Sequence, residues 1–158
     1  RDYGQTAKYV HARLGMNSRL DELQAAILRS ALLPRLPRFT ERRQAIAAAY
    51  RSAIQNAALT LPPVPAGSAS VWHLFPVLAS AGRAAFLAHL EAHGVGSGIH
   101  YPRLIPDQEA FASVRFESRD ALSRARHFAE SEVSLPIHPY LSDEHVERVI
   151  RACNTWNP

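Results

Sequence analysis

Residues able to do chemistry gather at three places in this 158-residue chain. The first runs from Lys8-Tyr9-Val10-His11 through Gly15-Met16-Asn17-Ser18-Arg19 to Leu20-Asp21-Glu22. An Asn and an Arg at the mouth of a helix can both donate to a phosphate, with the helix dipole in support. The same spacing also suits a helix cap at Asn17 and a solvated first-turn cation at Arg19, and it does not separate the two readings. The second place is Ser97-Gly98-Ile99-His100-Tyr101-Pro102. Here an imidazole and a phenol stand at a loop mouth, where both can hydrogen-bond a polar ligand and the imidazole can shuttle a proton near neutral pH. A capped strand end with a partly buried Tyr is the competing reading. The third is Leu135-Pro136-Ile137-His138-Pro139-Tyr140-Leu141-Ser142, where two prolines stiffen a turn and His138 between them reads as structural rather than catalytic.

Other chemistries are poorly served. Lys8 is the only lysine, so a Schiff base must use Lys8 or a residue outside these 158. His89 and His93 share a helix face but lack a flanking acid, so no metal site is expected and both read as half-exposed helix residues. No serine sits in a nucleophile elbow, and Gly94-Val95-Gly96-Ser97-Gly98 does not match a phosphate loop. Cys153 is the only cysteine, which excludes an internal disulfide and a cysteine metal cluster. The net charge of +4 suits an anionic ligand such as a phosphate or nucleotide, and equally suits plain solubility. The basic residues form no run interleaved with aromatics, so no nucleic-acid partner is expected. No apolar stretch approaches the ~20 residues of a membrane span. The polar start, Arg1-Asp2-Tyr3-Gly4, has neither a signal-peptide core nor an initiator Met. A cytoplasmic protein whose natural start lies elsewhere is the expectation.

The elements that must position these residues follow from periodicity. Residues 1–16 read as an irregular lead-in. Asn17-Ser18 supplies capping chemistry to a helix with Asp21 and Glu22 in its first turn and Leu20, Leu23, Ile27 and Leu32-Leu33 on its apolar face. Pro34 and Pro37 should end or kink it. A second helix, capped at Thr40, carries Ile46, Ala49, Tyr50, Ala53 and Ile54 and ends near Asn56. Leu61 to Ser68 is a proline-rich linker. A strand is expected over 71–78, with Pro76 marking an edge or bulge. Helices follow over 82–93 and 118–130, short strands over 95–101 and 132–135, and a last helix capped by Ser142 runs through Ala152. The order gives an α+β fold: two N-terminal helices, then a small, mostly antiparallel sheet with helices on one face. The domains expected are 1–60, helical, and 61–158, a small α+β domain.

Taken together, these segments resemble the DegT/StrS-type nucleotide-sugar aminotransferases of the aspartate-aminotransferase fold (PLP fold type I). The resemblance is carried by Tyr3-Gly4-Gln5, Lys8-Tyr9, Gly15, Asn17 and Arg19-Leu20-Asp21-Glu22-Leu23-Gln24-Ala25-Ala26. It continues at Trp72-His73-Leu74-Phe75, Ile99-His100-Tyr101-Pro102, Gln108, Ala110-Phe111, Leu135-Pro136-Ile137-His138-Pro139 and Leu141-Ser142. It implies that the chain is the C-terminal part of such a protein. It implies pyridoxal phosphate (PLP) as cofactor, held on a lysine that the family places upstream of the matching segment. Asn17 resembles the residue that reaches across a homodimer interface to the partner's PLP phosphate. Lys8, Tyr9 and Arg19 resemble neighbours in that shared site, suited to a nucleotide-sugar diphosphate, and His100 and Tyr101 resemble small-domain residues that face the substrate. Family members often carry a histidine shortly after His-Tyr-Pro, where this chain has Ile105-Pro106-Asp107.

The implied activity is transfer of an amino group from an amino acid, glutamate, to a 3-keto or 4-keto nucleotide-linked sugar, in cell-surface polysaccharide or amino-sugar biosynthesis. With no catalytic lysine among them, residues 1–158 alone are expected to be inactive. A noncatalytic binding or assembly fragment and a sugar dehydratase relative of the PLP family are the alternatives. The N-terminal helices should expose an apolar face through Leu20, Leu23, Ile27 and Leu32, or bury it by self-association.

Overall fold

The computed structural model describes residues 3–18, 20–117 and 120–158. They form two compact units, residues 1–39 and 40–158.

In the first unit the lead-in is not irregular. Strands β1 (Gln5–Ala7) and β2 (Val10–His11) pair antiparallel, Gln5 opposite His11 and Ala7 opposite Val10. Two close backbone approaches hold the base of this hairpin. A Cβ on Gly4 would lie 1.8 Å from the Arg13 carbonyl oxygen, and one on Gly15 would lie 2.3 Å from the Gly4 nitrogen. Gly4 also has φ +69°, a left-handed conformation that glycine adopts freely. Helix α1 (Glu22–Ile27) is capped by Asp21 rather than by Asn17-Ser18. Asp21 is extended (φ −60°, ψ 140°), and its carboxylate accepts from the Leu23 N–H at 2.9 Å. The carboxylate thereby satisfies a first-turn donor that a cap four residues earlier could not reach. A π-helical turn (Leu28–Leu32) and a 3-10 turn (Leu33–Arg35) follow, so the α-helical pattern gives way already at Leu28, ahead of Pro34.

Helix α2 (Leu36–Ala53) then starts earlier than expected, with Thr40 inside it. Pro37 lies in its first turn, where the missing N–H has no intrahelical partner to lose. No residue of α1 is buried, and Leu20, Leu23, Ile27 and Leu32 are all exposed. The apolar face anticipated from the sequence is therefore open on this chain.

The second unit holds the core. Strands β3 (Phe75–Leu78) and β4 (Glu132–Leu135) pair antiparallel, with Phe75 opposite Leu135, Pro76 opposite Ser134, Val77 opposite Val133 and Leu78 opposite Glu132. Single bridges extend this pair on both sides, Thr60 to Leu78 and Gly98 to Ser134. The strand expected over 95–101 is reduced to that one bridge, because only Gly98 exchanges backbone hydrogen bonds with Ser134, at 3.2 and 2.8 Å. Leu78 N–H points to Thr60, so the nitrogen of Pro76, two residues earlier, lies on that same edge, away from β4. The missing donor costs β4 nothing, which explains a proline in the strand.

Phe75, Val77, Val133 and Leu135 share one face by the period-two rule. They belong to one core cluster with Ile46 and Tyr50 of α2, Phe86 and Leu90 of α3 (Arg83–Ala92), and Val146, Val149, Ala152 and Cys153 of α5 (Asp143–Thr155). Residues 40–60 thus contribute to the core of the C-terminal unit. Helix α3 ends at Gly94 (φ +68°), with Val95 N–H donating to the Leu90 carbonyl and Gly94 N–H to the Glu91 carbonyl, both at 2.9 Å. Ser142 caps α5 as expected, accepting from the His145 N–H at 3.2 Å. Helix α4 spans Ser123–Ser131; of the residues expected to open it, Asp120–Leu122 form a bend and turn, and 118–119 lie outside the described residues.

Candidate active-site cleft

A cleft of about 400 Å³ opens beside the C-terminal end of β4. Its polar lining is Arg43, His73, Ser97, His100, Ser134 and His138. Arg43 projects from α2 and donates to the carbonyls of Trp72 (3.1 Å) and His73 (3.2 Å). Among the described residues no carboxylate pairs with it. The cleft therefore carries a fixed positive charge held by neutral acceptors, an arrangement suited to an anionic ligand group. The Pro136 carbonyl is anchored by the buried Tyr50 hydroxyl at 2.8 Å, which fixes the turn that presents His138. Burial pushes the Tyr50 phenol above its ordinary range, so it remains a donor in neutral solution.

His100 is held at both its backbone and its ring. Its backbone N–H donates to Glu132 Oε2 at 2.6 Å, and its Nδ1 lies 2.9 Å from Ser134 Oγ. Ser134 Oγ in turn donates to Glu132 Oε1 at 2.5 Å. Glu132 is fully buried and Ser134 nearly so, at 0% and 5% exposure. The His100–Tyr101 peptide is cis.

His100 and Tyr101 have rings 5.4 Å apart and crossed at 75°, but they line different cavities. Tyr101 lines an apolar pocket of about 590 Å³ with Leu104, Ile105, Pro106, Leu122 and Phe128. The loop in which Ile105-Pro106-Asp107 stands is tied to α4 by Asp107, which accepts from Arg126 at 2.5 and 3.0 Å. That hydrogen bond holds the Asp107 carboxyl below the ordinary carboxylate value.

The remaining expected site residues lie in the first unit. Lys8 and Tyr9 form the hairpin turn, with Lys8 Nζ 5.2 Å from the centre of the Tyr9 ring. Tyr9 is 82% exposed, and Asn17 is exposed. Arg19 lies outside the described residues. His89 and His93 stack at 4.1 Å, and each hydrogen-bonds a backbone carbonyl, Ala152 and His89 respectively. Among the described residues no group of three or more His, Cys, Asp or Glu could hold a metal ion. No described helix is long and apolar enough to cross a membrane.

Sequence reasoning missed Glu132, Ser134 and Arg43. Glu132-Val133-Ser134-Leu135 did carry a signal. Its two polar residues alternate with two apolar ones, which places both polar side chains on the face opposite the core. Arg43 left no such mark, because one more arginine in a helix reads as a solvated face.

The fold is shared with known proteins. The DegT/DnrJ/EryC1/StrS aminotransferase family matches residues 1–154, and the chain belongs to that family. It is 43% identical over 156 residues to the dTDP-3-amino-3,6-dideoxy-alpha-D-galactopyranose transaminase of Aneurinibacillus thermoaerophilus, covering 99% of this chain and 42% of the relative. It is 38% identical to the UDP-N-acetyl-3-dehydro-alpha-D-glucosamine 3-aminotransferase of Acidithiobacillus ferrooxidans, covering 94% of this chain and 39% of the relative. Among solved structures, DesV of Streptomyces venezuelae superposes with a TM-score of 0.89 at 39% identity, over 99% of this chain and 42% of that one. A family member from Brucella abortus gives 0.85 at 30% identity, over 96% and 39%. The chain thus spans about two fifths of the length of the relatives it matches.

Proposed function

We propose that the protein transfers an amino group from an amino acid, glutamate, to the keto carbon of a nucleotide-linked sugar, and that residues 1–158 supply much of its substrate-facing side. The observation that carries this reading is a cleft combining an unpaired-by-carboxylate Arg43 with His73, His100 and His138, in a chain whose relatives are named for dTDP- and UDP-sugar amination. Arg43 offers a full positive charge to an anionic group of the substrate. The imidazoles offer hydrogen-bonding nitrogens to sugar hydroxyls.

PLP is the cofactor of this reading. When bound, it supplies the electron sink that lets the amino group change carriers. The described residues fit only part of it. Asn17, exposed in the first unit, has an amide able to donate to the PLP phosphate of a homodimer partner. Lys8 and Tyr9 sit together at an exposed turn, suited to a diphosphate, and with Arg19 we assign them to substrate. The lysine that carries PLP is assigned to a part of the protein outside residues 1–158, so these residues alone are taken to be inactive. The free, buried Cys153 fits a reducing compartment, and we place the reaction in the cytoplasm, in amino-sugar or polysaccharide synthesis.

The test uses the whole gene product that contains these residues. His100→Ala should raise KM for the nucleotide-sugar by about tenfold, the equivalent of one hydrogen bond to substrate, and leave the glutamate half-reaction unchanged. A variant that loses the glutamate half-reaction and keeps its sugar KM would remove His100 from the substrate side.

A further inference from the structure

The buried Glu132, Ser134 and His100 form a chain whose protons can be counted. A carboxylate only accepts, and a serine hydroxyl has one hydrogen to give. Glu132 Oε2 takes the His100 backbone N–H at 2.6 Å, and Oε1 takes the Ser134 hydroxyl at 2.5 Å. Ser134 has then spent its hydrogen, and only a lone pair faces His100 Nδ1 at 2.9 Å. Nδ1 must carry a hydrogen for that contact to be a bond. In the neutral ring Nε2 is then bare. No partner for Nε2 occurs among the described residues. Since no buried side-chain nitrogen or oxygen among them lacks a partner, Nε2 reaches solvent from a ring that lines the cleft.

We propose that Glu132 and Ser134 are positioning residues that hold His100 as the Nδ1–H tautomer, so that Nε2 presents a lone pair to the cleft. Nε2 then takes a hydrogen-bond donor, a hydroxyl or an ammonium, and turns away phosphate and carboxylate oxygens, which fall to Arg43. The division of labour is chemical: one acceptor for the sugar ring, one cation for the anionic group. The tautomer stands without the aminotransferase reading, whereas the sugar hydroxyl as its partner rests on that reading. Two apolar residues at 132 and 134 would bury more simply, since a buried carboxylate must have its hydrogen bonds supplied.

The test is long-range proton–nitrogen NMR on the 158-residue chain with labelled histidine, in alkaline solution where imidazoles are neutral. No substrate or cofactor is present, so its failure is separate from failure of the proposed activity. In wild type, His100 should show a pyrrole-type Nδ1 and a pyridine-type Nε2, the reverse of the form an isolated histidine favours. Ser134→Ala should lower the Nδ1–H to Nε2–H ratio by about tenfold, the equilibrium equivalent of one charge-linked hydrogen bond. Ser134→Thr keeps the hydroxyl and should keep the wild-type ratio. A wild-type His100 found mainly as Nε2–H overturns the proposal, whether or not any variant folds. So does a ratio unmoved in a natively folded Ser134→Ala.

Discussion

Replacing Tyr50 with phenylalanine removes one oxygen and leaves a buried ring in place. The ring is fully buried and meets Phe75 edge-on, 5.2 Å between centres at 71°, and phenylalanine preserves that contact. What is lost is the 2.8 Å hydrogen bond to the Pro136 carbonyl, which anchors the turn leading to His138. Losing a part-buried neutral hydrogen bond and stranding its acceptor costs about 1–2 kcal/mol. For a domain of this size each kcal/mol lowers Tm by about 4 °C, so Tyr50→Phe should melt about 4–8 °C below wild type. Tyr50→Ala, which also empties the ring's place between α2 and β3, should cost about 3–5 kcal/mol. Urea titration of the full chain, followed by circular dichroism, measures both, and an unchanged m value shows that the denatured state is not the cause. A Tyr50→Phe midpoint indistinguishable from wild type would refute the reasoning, because the hydroxyl would then be contributing nothing to the turn.

Two further outcomes follow from burial and backbone geometry. Burial pushes the Cys153 thiol from its ordinary 9.0 up to about 12, and the Tyr50 phenol rises from 10.0 for the same reason. Both groups ionise more easily in the unfolded chain. Their stabilising contribution is therefore complete below pH 9.0 and is lost as pH rises from there towards about 12, which denaturation midpoints measured across that range should show. Cys153→Ala should remove the part of the loss that begins first. In the other unit, Gly4→Ala would drive a methyl against the Arg13 carbonyl at 1.8 Å, and should abolish the NMR contacts between Ala7 and Val10. Residues 40–158 should keep their melting temperature.

The elements were legible in the sequence where local chemistry decides them. Gly94 ends α3 and Ser142 caps α5, each by a donor or a dihedral that one residue controls. The readings failed where a competitor sat nearby. Asp21 displaced Asn17-Ser18 as cap because a charged acceptor lay next to the first free N–H groups. The strand expected over 95–101 kept one bridge, since its pairing depends on Ser134, more than thirty residues away, and not on its own alternation. The site was half visible. His100 stood out as an imidazole at a loop mouth, but the two residues that orient it lie on another strand. Their buried polar pair could be read as a face of β4 and not as a proton chain without the register that brings Gly98 beside Ser134.

Amino transfer itself is the most direct test of the account. The whole gene product containing these residues, loaded with PLP, is given nitrogen-15 glutamate and a 3-keto or 4-keto nucleotide-linked sugar. The account predicts that the label appears as an amine on the sugar ring, one for each 2-oxoglutarate released. A cofactor-loaded protein that forms 2-oxoglutarate and never places the label on a nucleotide-linked sugar would contradict it.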